Sequence, residues 1–115
     1  MKAFNHCRSS VKYFGGTEMD YHNIHAWFDE SKTHYADIRH RALRHHTQGV
    51  VECEKQFGIY ITNSNKKKVP VKSIAEQHIR EDLGFIPSVQ DWFREIKLKS
   101  WMASTKKNIK KMNLT

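Results

Sequence analysis

The stretch from residue 37 to 57 constrains the fold most, because its apolar side chains follow helical spacing. They lie seven, three and four residues apart, at Leu43, Val50, Cys53 and Phe57. This pattern predicts one continuous helix that ends at Gly58, with His46 inside its apolar stripe. Gly49 would then stand in mid-helix, where glycine costs about 1 kcal/mol relative to alanine. A close helix crossing is the expected reason for it, and a ligand that approaches the backbone is the alternative.

Other segments show the same periodicity or carry helix-end signals. Helices are also predicted over residues 4–14, from Asp20 to about Lys32, over residues 72–83 and from Ser88 onward. Gly15-Gly16 and Gly84 supply the stops, while Asp20 and Ser88 are suitable N-caps. In the last helix, the residues predicted to face inward are Val89, Trp92, Phe93 and Ile96.

Between the third and fourth predicted helices, β-branched residues stand on both sides of a polar turn. The turn is Asn63-Ser64-Asn65-Lys66, and the residues that flank it are Ile59, Ile61, Val69 and Val71. This arrangement predicts a β-hairpin with a basic loop. Pro70 lacks an N–H group, so the second strand is expected to be short or to lie at a sheet edge.

Composition favours a small domain over a membrane or secreted protein. The chain has 115 residues, 38% of them hydrophobic, and a mean hydropathy of −0.75. No apolar run approaches the roughly 20 residues of a membrane span, and the N-terminus lacks the apolar segment of a secretory signal. Cys7 and Cys53 form no CxxC pair, which predicts two reduced thiols in a cytoplasmic protein. We therefore expect a mainly α, single-domain helical bundle of about five helices with one β-hairpin insertion, over residues 1–102.

Positive charge is concentrated near one end of the chain. The formal net charge is +8, but Lys97–Thr115 contains six lysines and no acidic residue. The body is therefore nearly balanced, and residues 103–115 are predicted to form a basic, flexible tail. Such a tail attracts polyanions without specifying a site.

Histidine is the residue type that indicates chemistry in this sequence. Eight are present, and six fall in one segment: His22, His25, His34, His40, His45 and His46. Asp29 follows His25 by four residues and Asp82 follows His78 by four, so each pair shares a helix face. Imidazole and carboxylate together suit zinc, manganese, iron or nickel.

These spacings predict a divalent metal site with ligands from different helices. His46 lies on an apolar stripe and His78 stands beside Ile79, so both are expected to point inward. The predicted ligands are His46, His78 and Asp82, with His25 and Asp29 as further candidates. The alternative is that these histidines are core residues, hydrogen-bonded to backbone or carboxylate. The sequence has no HExxH or CxxC motif and no adjacent His-Asp dyad, so the prediction rests on spacing and composition.

The segment RHRALRHH, residues 39–46, places three arginines among three histidines with no acidic residue inside it. Arg39, Arg41 and Arg44 are candidates for binding phosphate, because a guanidinium group can donate two hydrogen bonds to its oxygens. A solvated or ion-paired helix face is the alternative. His45 and Asp37 are the candidate general bases.

Five segments resemble a family of small uncharacterised proteins from bacteria and their phages: HCRSSVKYFGG, IHAWFDESK, ADIRHRALRHH, ITNSNKKKVPV and EQHIREDLGFIPSVQDW. The resemblance runs from about residue 4 to Met102, and RHRALRHH and EQHxxEDLG are its most specific parts. It implies a cytoplasmic setting and supplies no activity. Small phage proteins of this kind include inhibitors of host defence and scavengers of nucleotide signals, so the setting alone does not determine the function.

Three functions are compatible with these observations. The first is a metal-dependent hydrolase that acts on a phosphate-bearing substrate, either a nucleotide or a nucleic acid. The second is a non-catalytic protein that captures a nucleotide signal or inhibits a partner protein such as a host-defence component, with structural histidines. The third and weakest is a nucleic-acid-binding module driven by the basic tail and the lysine loop.

Overall fold

The computed structural model describes residues 1–103. Its α-helices are α1 (Ala3–Phe14), α2 (His22–Asp29), α3 (Thr47–Phe57), α4 (Val71–Leu83) and α5 (Val89–Phe93). Short 3₁₀ helices cover Glu18–Asp20, Glu30–Thr33, Ile38–Leu43 and Ser100–Met102. Strands β1 (Tyr60–Thr62) and β2 (Lys68–Pro70) form an antiparallel hairpin. The mainly helical fold with one hairpin confirms the prediction for this part of the chain.

Helix α4 is the centre of the packing, since it contacts α1, α2 and α3. Its buried residues Ile74, Ala75 and Ile79 share one apolar core with residues of those three helices: Cys7, Ile24, Phe28, Val50 and Cys53. Burial of each large apolar side chain contributes about 1.5–3 kcal/mol, so this core holds α4 firmly. His78 and Asp82 lie on the same helix and are therefore placed in the middle of the domain.

The predicted hairpin joins α3 to α4. Its loop is anchored by the buried side chain of Asn63, which donates to the Phe14 carbonyl at 3.1 Å. The same side chain accepts hydrogen bonds from the Asn65 and Lys67 backbone N–H groups at 2.9 and 3.0 Å. The basic loop is thereby tied to the end of α1, and Pro70 ends β2 directly before α4 begins.

The predicted continuous helix over residues 37–57 is wrong. The 3₁₀ helix ends at Leu43, the backbone turns at Arg44–His46, and α3 follows. His46 has extended backbone (φ −164°, ψ 174°), and its Nδ1 accepts a hydrogen bond from the Gly49 N–H group at 2.9 Å. The imidazole is therefore the N-cap of α3, which competes with continuation of the helix. Leu43 is 59% exposed, so the apolar stripe does not run through the turn.

Gly49 serves this turn rather than the predicted helix crossing. It stands in the first turn of α3, and a Cβ there would lie 2.6 Å from the carbonyl carbon of Arg44 and closer still to its oxygen. Because glycine has no side chain, the Arg44–His46 turn can fold back onto the helix. Glycine at this position therefore permits the turn that presents His45.

The end signals of α4 and α5 are confirmed, whereas two predicted core positions are wrong. Gly84 has left-handed backbone after α4 (φ 84°), and Ser88 caps α5 by accepting a hydrogen bond from the Asp91 N–H group at 3.1 Å. Phe93 and Ile96 are 63% and 51% exposed instead of facing inward. Helix α5 ends at Phe93, so the predicted helical stripe does not continue to Ile96.

Asp20 does not cap the second helix as predicted. The carboxylate instead accepts hydrogen bonds from the Thr17 and Ser64 backbone N–H groups at 2.8 and 3.0 Å. It thus joins the turn before α2 to the hairpin loop. Helix α2 begins at His22 and ends at Asp29, earlier than predicted, and the chain continues as a 3₁₀ turn to Thr33.

Three further expectations concern membrane spans, the two thiols and the basic tail. Within residues 1–103, no helix combines the length and the apolar character needed to cross a membrane. Cys7 and Cys53 are buried, unpaired thiols. The predicted basic tail, residues 103–115, lies outside the described residues except for Ala103.

Candidate metal centre

Four histidines and two aspartates from separate segments meet beside α4. They are His6 from α1, His25 and Asp29 from α2, His45 from the turn before α3, and His78 and Asp82 from α4. All four imidazoles are fully buried. His45 is held through its backbone, since its N–H group donates to the Arg41 carbonyl at 2.8 Å and its carbonyl accepts from Trp92 Nε1 at 2.9 Å. The cluster therefore depends on the packing of three helices and one turn.

Asp82 lies at the centre of this cluster, with a side chain only 1% exposed. Its Oδ2 is 2.9 Å from His45 Nε2 and 3.3 Å from His78 Nε2. Its Oδ1 is 3.1 Å from His6 Nε2 and 3.8 Å from Arg41 Nη2. Burial opposes the charge, but hydrogen bonds from His45 and His6 hold the pKa of Asp82 well below its ordinary value of 3.8. Asp82 is therefore an ionised carboxylate with both oxygens directed at imidazoles.

Asp29 extends this arrangement to a set of four metal donors. Donor atoms within 4.8 Å of one another come from Asp29, His45, His78 and Asp82. His78 Nε2 stands between the two carboxylates, 3.6 Å from Asp29 Oδ1 and 3.3 Å from Asp82 Oδ2. Two imidazole nitrogens and two carboxylate oxygens form a donor set that suits zinc and other first-row divalent ions.

The charge states of this donor set favour a cation. Burial lowers the pKa of His45, so its imidazole is neutral at neutral pH. Because its Nε2–H group donates to the Asp82 carboxylate, the lone pair of the free ring is on Nδ1, and a metal at Nε2 would replace that proton. Burial also opposes the charged form of His78, but the Asp29 and Asp82 carboxylates outweigh it and raise the pKa of His78. The two carboxylates thus attract positive charge to one place, either a proton on His78 or a metal ion.

Unpartnered polar atoms are concentrated at the same place. Within residues 1–103, the buried side-chain nitrogens and oxygens that lack a hydrogen-bond partner are Arg41 Nε, His45 Nδ1 and His78 Nε2. All three belong to residues that approach Asp82. Buried polar groups are nearly always hydrogen-bonded, so exceptions on three residues around Asp82 require a cause. A metal ion would provide a partner for His78 Nε2.

A second group of three imidazoles, His6, His25 and His78, also brings donor atoms close together. Its geometry does not suit a metal, because the rings of His6 and His78 are stacked, with centroids 3.9 Å apart and planes inclined by 29°. Their lone pairs lie in nearly parallel planes and do not converge. His25 Nδ1 and His78 Nδ1 are 2.9 Å apart and share a hydrogen bond. Burial lowers the pKa of His25 to about 2, so this ring is neutral.

The four-donor set reaches solvent through Asp29. The Asp29 side chain is 14% exposed, whereas those of His45 and His78 are fully buried. Asp29 lines an open cleft of about 630 Å³ together with Lys2, Trp27, Glu30 and Lys32, among others. A ligand in this cleft would meet two lysines and the exposed edge of the donor set.

One protein family, described as a domain of unknown function (DUF6915), matches residues 1–102 of the chain. The chain belongs to the DUF6915 family. Comparison with curated proteins and with solved structures finds no match. The predicted resemblance to an uncharacterised family is confirmed at this level, and the match includes all six residues of the cluster.

The DUF6915 fold brings together three of the five predicted metal ligands: Asp29, His78 and Asp82. His25 reaches the cluster too, but it contacts His78 rather than the carboxylates. His46 belongs to neither group of potential ligands, since its Nδ1 caps α3 and its Nε2 donates to the Leu43 carbonyl at 3.2 Å. The neighbouring His45, predicted as a general base, takes the place expected of His46.

The predicted phosphate-binding arginines and the second predicted base are dispersed. Arg41 lies beside Asp82, as described above. Arg44 covers the Trp27 ring at 4.0 Å and donates to the Trp27 carbonyl. Arg39 pairs with Asp37 at 2.7 Å on the exposed surface, so Asp37 lies outside both groups of potential ligands. Only Arg41 among these four residues joins the cluster.

Sequence reasoning missed the contributions of His6, Ser10, Gln77 and Glu81. His6 Nδ1 is 2.9 Å from Glu81 Oε1, and Ser10 contacts His25 and Gln77. A signal for two of them was present, because His6 and Ser10 are four residues apart and share the face of α1 that buries Cys7. Polar residues on that face indicate polar partners inside the domain.

Proposed function

We propose that this DUF6915 protein is a metal-dependent hydrolase that acts on a phosphate-bearing substrate, a nucleotide or a nucleic acid. The observation that carries the proposal is the set of four donor atoms within 4.8 Å. His78 Nε2 lies between two carboxylates in this set and has no hydrogen-bond partner. The proposed ligands are Asp29, His45, His78 and Asp82, and the proposed ion is zinc, manganese, iron or nickel.

A divalent ion held by these residues would supply Lewis acidity and would lower the pKa of a water molecule bound to it, which promotes phosphate-ester hydrolysis. The protein residues supply the position and the surroundings. His45, His78 and Asp82 are buried and held by α4 and by the turn before α3, so they are preorganised. Asp29 lines the cleft, so the substrate would approach from its side.

Positive groups near the centre support a phosphate-bearing substrate. The Arg41 side chain is 20% exposed, its Nη2 is 3.8 Å from Asp82 Oδ1, and its Nε has no partner. One guanidinium group can donate two parallel hydrogen bonds to two phosphate oxygens, so we assign Arg41 to phosphate binding. Lys2 and Lys32 line the same cleft as Asp29 and would attract an anion.

The first test is the metal content of protein purified without chelators, measured by elemental mass spectrometry. We expect about one transition-metal ion per chain, by analogy with single-ion sites of four donors. His45→Asn and His78→Ala should lose it. His46→Asn is the matched control, because asparagine retains N-cap function and His46 lies outside the donor set. A folded wild-type protein without metal would refute the proposed centre, as would loss of metal in His46→Asn alone.

The second test is turnover. The metal-loaded protein is incubated with p-nitrophenyl phosphate, bis-p-nitrophenyl phosphate and a panel of nucleotides, and released product is measured. Hydrolysis that is lost in Arg41→Met, while the metal content is retained, supports the phosphate assignment. Metal binding without turnover on any of these substrates would contradict the hydrolase and leave a metalloprotein with another role.

A binding function is the second candidate, and one observation favours it. Without a metal, Asp82 still accepts hydrogen bonds from His6 and His45, so the cluster also forms a buried hydrogen-bond network. In that case the histidines are structural, and the cleft would capture a nucleotide signal or a partner protein such as a host-defence component in a bacterial or phage setting. Tight nucleotide binding with no metal and no product would favour it. A nucleic-acid-binding module driven by the basic tail would instead lose affinity when residues 103–115 are removed.

A further inference from the structure

A chain of hydrogen-bonded side chains leads through the core to the proposed metal ligand His78. Ser10 Oγ is 2.7 Å from Gln77 Oε1 and 2.7 Å from His25 Nε2. His25 Nδ1 is 2.9 Å from His78 Nδ1. All four residues are buried, at 7% exposure for Gln77 and 0% for the others. This series of hydrogen bonds is therefore shielded from water, and each polar group in it must have its hydrogen-bond partner within the core.

The direction of each hydrogen bond follows from the end at Gln77. Gln77 Nε2 donates to the His6 carbonyl at 2.9 Å and to Glu81 Oε1 at 2.8 Å. Both partners are acceptors, so the amide cannot be reversed without placing oxygen against oxygen. Gln77 Oε1 consequently faces Ser10 as a hydrogen-bond acceptor.

The remaining directions follow from this one. The single Ser10 proton faces two acceptors, Gln77 Oε1 at 2.7 Å and the His6 carbonyl at 3.1 Å. Because either of them takes this proton, Ser10 Oγ accepts a hydrogen bond from His25 Nε2–H. A neutral imidazole carries one N–H group, so His25 Nδ1 has a lone pair. His78 Nδ1–H therefore donates to His25 Nδ1. A neutral His78 then has its lone pair on Nε2, the atom that lies between Asp29 and Asp82.

We propose that His25 is a positioning residue that holds His78 in the tautomer whose Nε2 binds the metal. Ser10 and Gln77 orient His25 in turn. The inference rests on the proposed function, because it assigns a role at the same metal centre. Histidine ligands of metals typically donate their second N–H group to an acceptor that fixes ring orientation and tautomer. Here the acceptor is a second imidazole, which is itself oriented by two further side chains.

Zinc binding by four variants tests this role. His25→Leu removes the acceptor for His78 Nδ1–H, and His25→Asn returns an amide oxygen near the same position. Ser10→Ala leaves His25 Nε2–H without its acceptor and disturbs the packing less. Phe28→Leu is the control for packing, since the Phe28 ring stacks on His78 at 4.7 Å without a hydrogen bond. Zinc affinity is measured by competition with a chromophoric chelator, after circular dichroism has shown that each variant is folded.

We expect His25→Leu to weaken zinc binding about 10- to 100-fold, the usual effect of losing an outer hydrogen-bond partner. Ser10→Ala should weaken it less, while His25→Asn and Phe28→Leu should bind like the wild type. Nitrogen-15 NMR of the zinc-loaded wild type should show His78 bound through Nε2 with a slowly exchanging Nδ1–H proton. That proton signal should be lost in His25→Leu.

Two kinds of failure are distinguishable. If the wild type binds no zinc and carries no other metal, the proposed centre fails and the positioning role fails with it. If the wild type binds zinc and His25→Leu binds it equally well, only the positioning role is wrong. An equal loss in Phe28→Leu would also overturn it, because packing alone would explain the effect. Should His25→Leu not fold, unchanged zinc affinity and an unchanged His78 signal in Ser10→Ala would overturn it instead.

Discussion

Replacement of Gly49 by alanine separates the observed structure from a continuous helix, because the two predict opposite signs. In an uninterrupted helix over residues 37–57, Gly49→Ala would raise the free energy of unfolding by about 1 kcal/mol through helix propensity. In the observed structure, the added Cβ would lie 2.6 Å from the Arg44 carbonyl carbon. Nonbonded carbons are most stable about 3.5–4.0 Å apart, so the turn must move by at least about 1 Å, and the carbonyl oxygen, which would be closer still, requires more.

The magnitude follows from what that movement disturbs. Overpacking of this kind costs about 1–3 kcal/mol. The Arg44 carbonyl also accepts a hydrogen bond from the His46 N–H group at 3.0 Å, and its loss adds about 1 kcal/mol. After the gain of about 1 kcal/mol in helix propensity is subtracted, the free energy of unfolding falls by about 1–3 kcal/mol. For a domain of this size, that lowers the melting temperature on the order of 10 °C.

Thermal and urea unfolding followed by circular dichroism measure the change directly. Gln48→Ala is the control, because Gln48 is exposed on the same turn of α3 and its side chain donates to Glu52 on the same helix. It should shift stability by no more than about 0.5 kcal/mol. Since the Arg44–His46 turn carries His45, Gly49→Ala should also weaken metal binding. A higher melting temperature in Gly49→Ala would show that the turn is not as described and would refute this reasoning.

Three further predictions concern the cluster and the thiols. Asp82→Ala should destabilise the metal-free protein by about 3–5 kcal/mol in urea unfolding, because it removes the buried partner of several imidazoles. Asp37→Ala, at an exposed pair, should have a much smaller effect, and equal effects would contradict the central place of Asp82. The metal-free protein should lose stability as the pH falls from 6.5 to 5. Burial lowers the pKa of four histidines, so the unfolded chain binds more protons than the folded protein in this range. The four are His25, His40, His45 and His46. The raised pKa of His78 contributes stability that is already complete below pH 6.5, so it does not offset this loss. His25 alone, with a pKa of about 2, accounts for a loss on the order of 2 kcal/mol. A free energy of unfolding in urea that is equal or higher at pH 5 would contradict the prediction. Burial raises the pKa of Cys7 to about 11 and that of Cys53 to about 12, so neither thiol should react with a disulfide reagent until the protein unfolds. Rapid labelling of the native protein would contradict this prediction, because it would show that the thiols are accessible.

Elements with local signals were predictable from the sequence. The helices around residues 4–14 and 72–83 have an apolar face and a glycine stop, and both appear within one residue of the predicted start and end. The hairpin follows from β-branched residues around an Asn-rich turn. Each of these signals lies within a few residues of the element it specifies, so no knowledge of the tertiary fold is needed.

The predicted helix over residues 37–57 failed because its decisive interactions are not visible as a pattern. A histidine ring caps α3, and the glycine that follows admits the carbonyl of Arg44. Both the imidazole cap and the close approach of the Arg44 carbonyl depend on the positions of individual atoms, which the spacing of apolar residues does not reveal. Helical periodicity in Val50, Cys53 and Phe57 is real, but it describes only the part of the segment that forms α3.

The candidate site divides in the same way. His78 and Asp82 are four residues apart on one helix, so their proximity follows from the sequence once α4 is recognised. The sequence does not decide between His45 and His46 as the ligand, because the directions of adjacent side chains change when the helix that contains them is interrupted. His6 was missed because its partners Glu81 and Asp82 lie on α4, far away in the chain.

The sequence by itself therefore determined the helical class, the hairpin, and a supply of imidazoles and carboxylates at helical spacing. These properties depend on backbone conformation and on the periodicity of neighbouring residues. The tertiary structure decided which donors converge, which imidazole caps a helix, and which nitrogen of His78 faces the carboxylates. Those outcomes depend on distances between segments and on the count of hydrogen-bond donors and acceptors in a space without water, and only the packed core sets both.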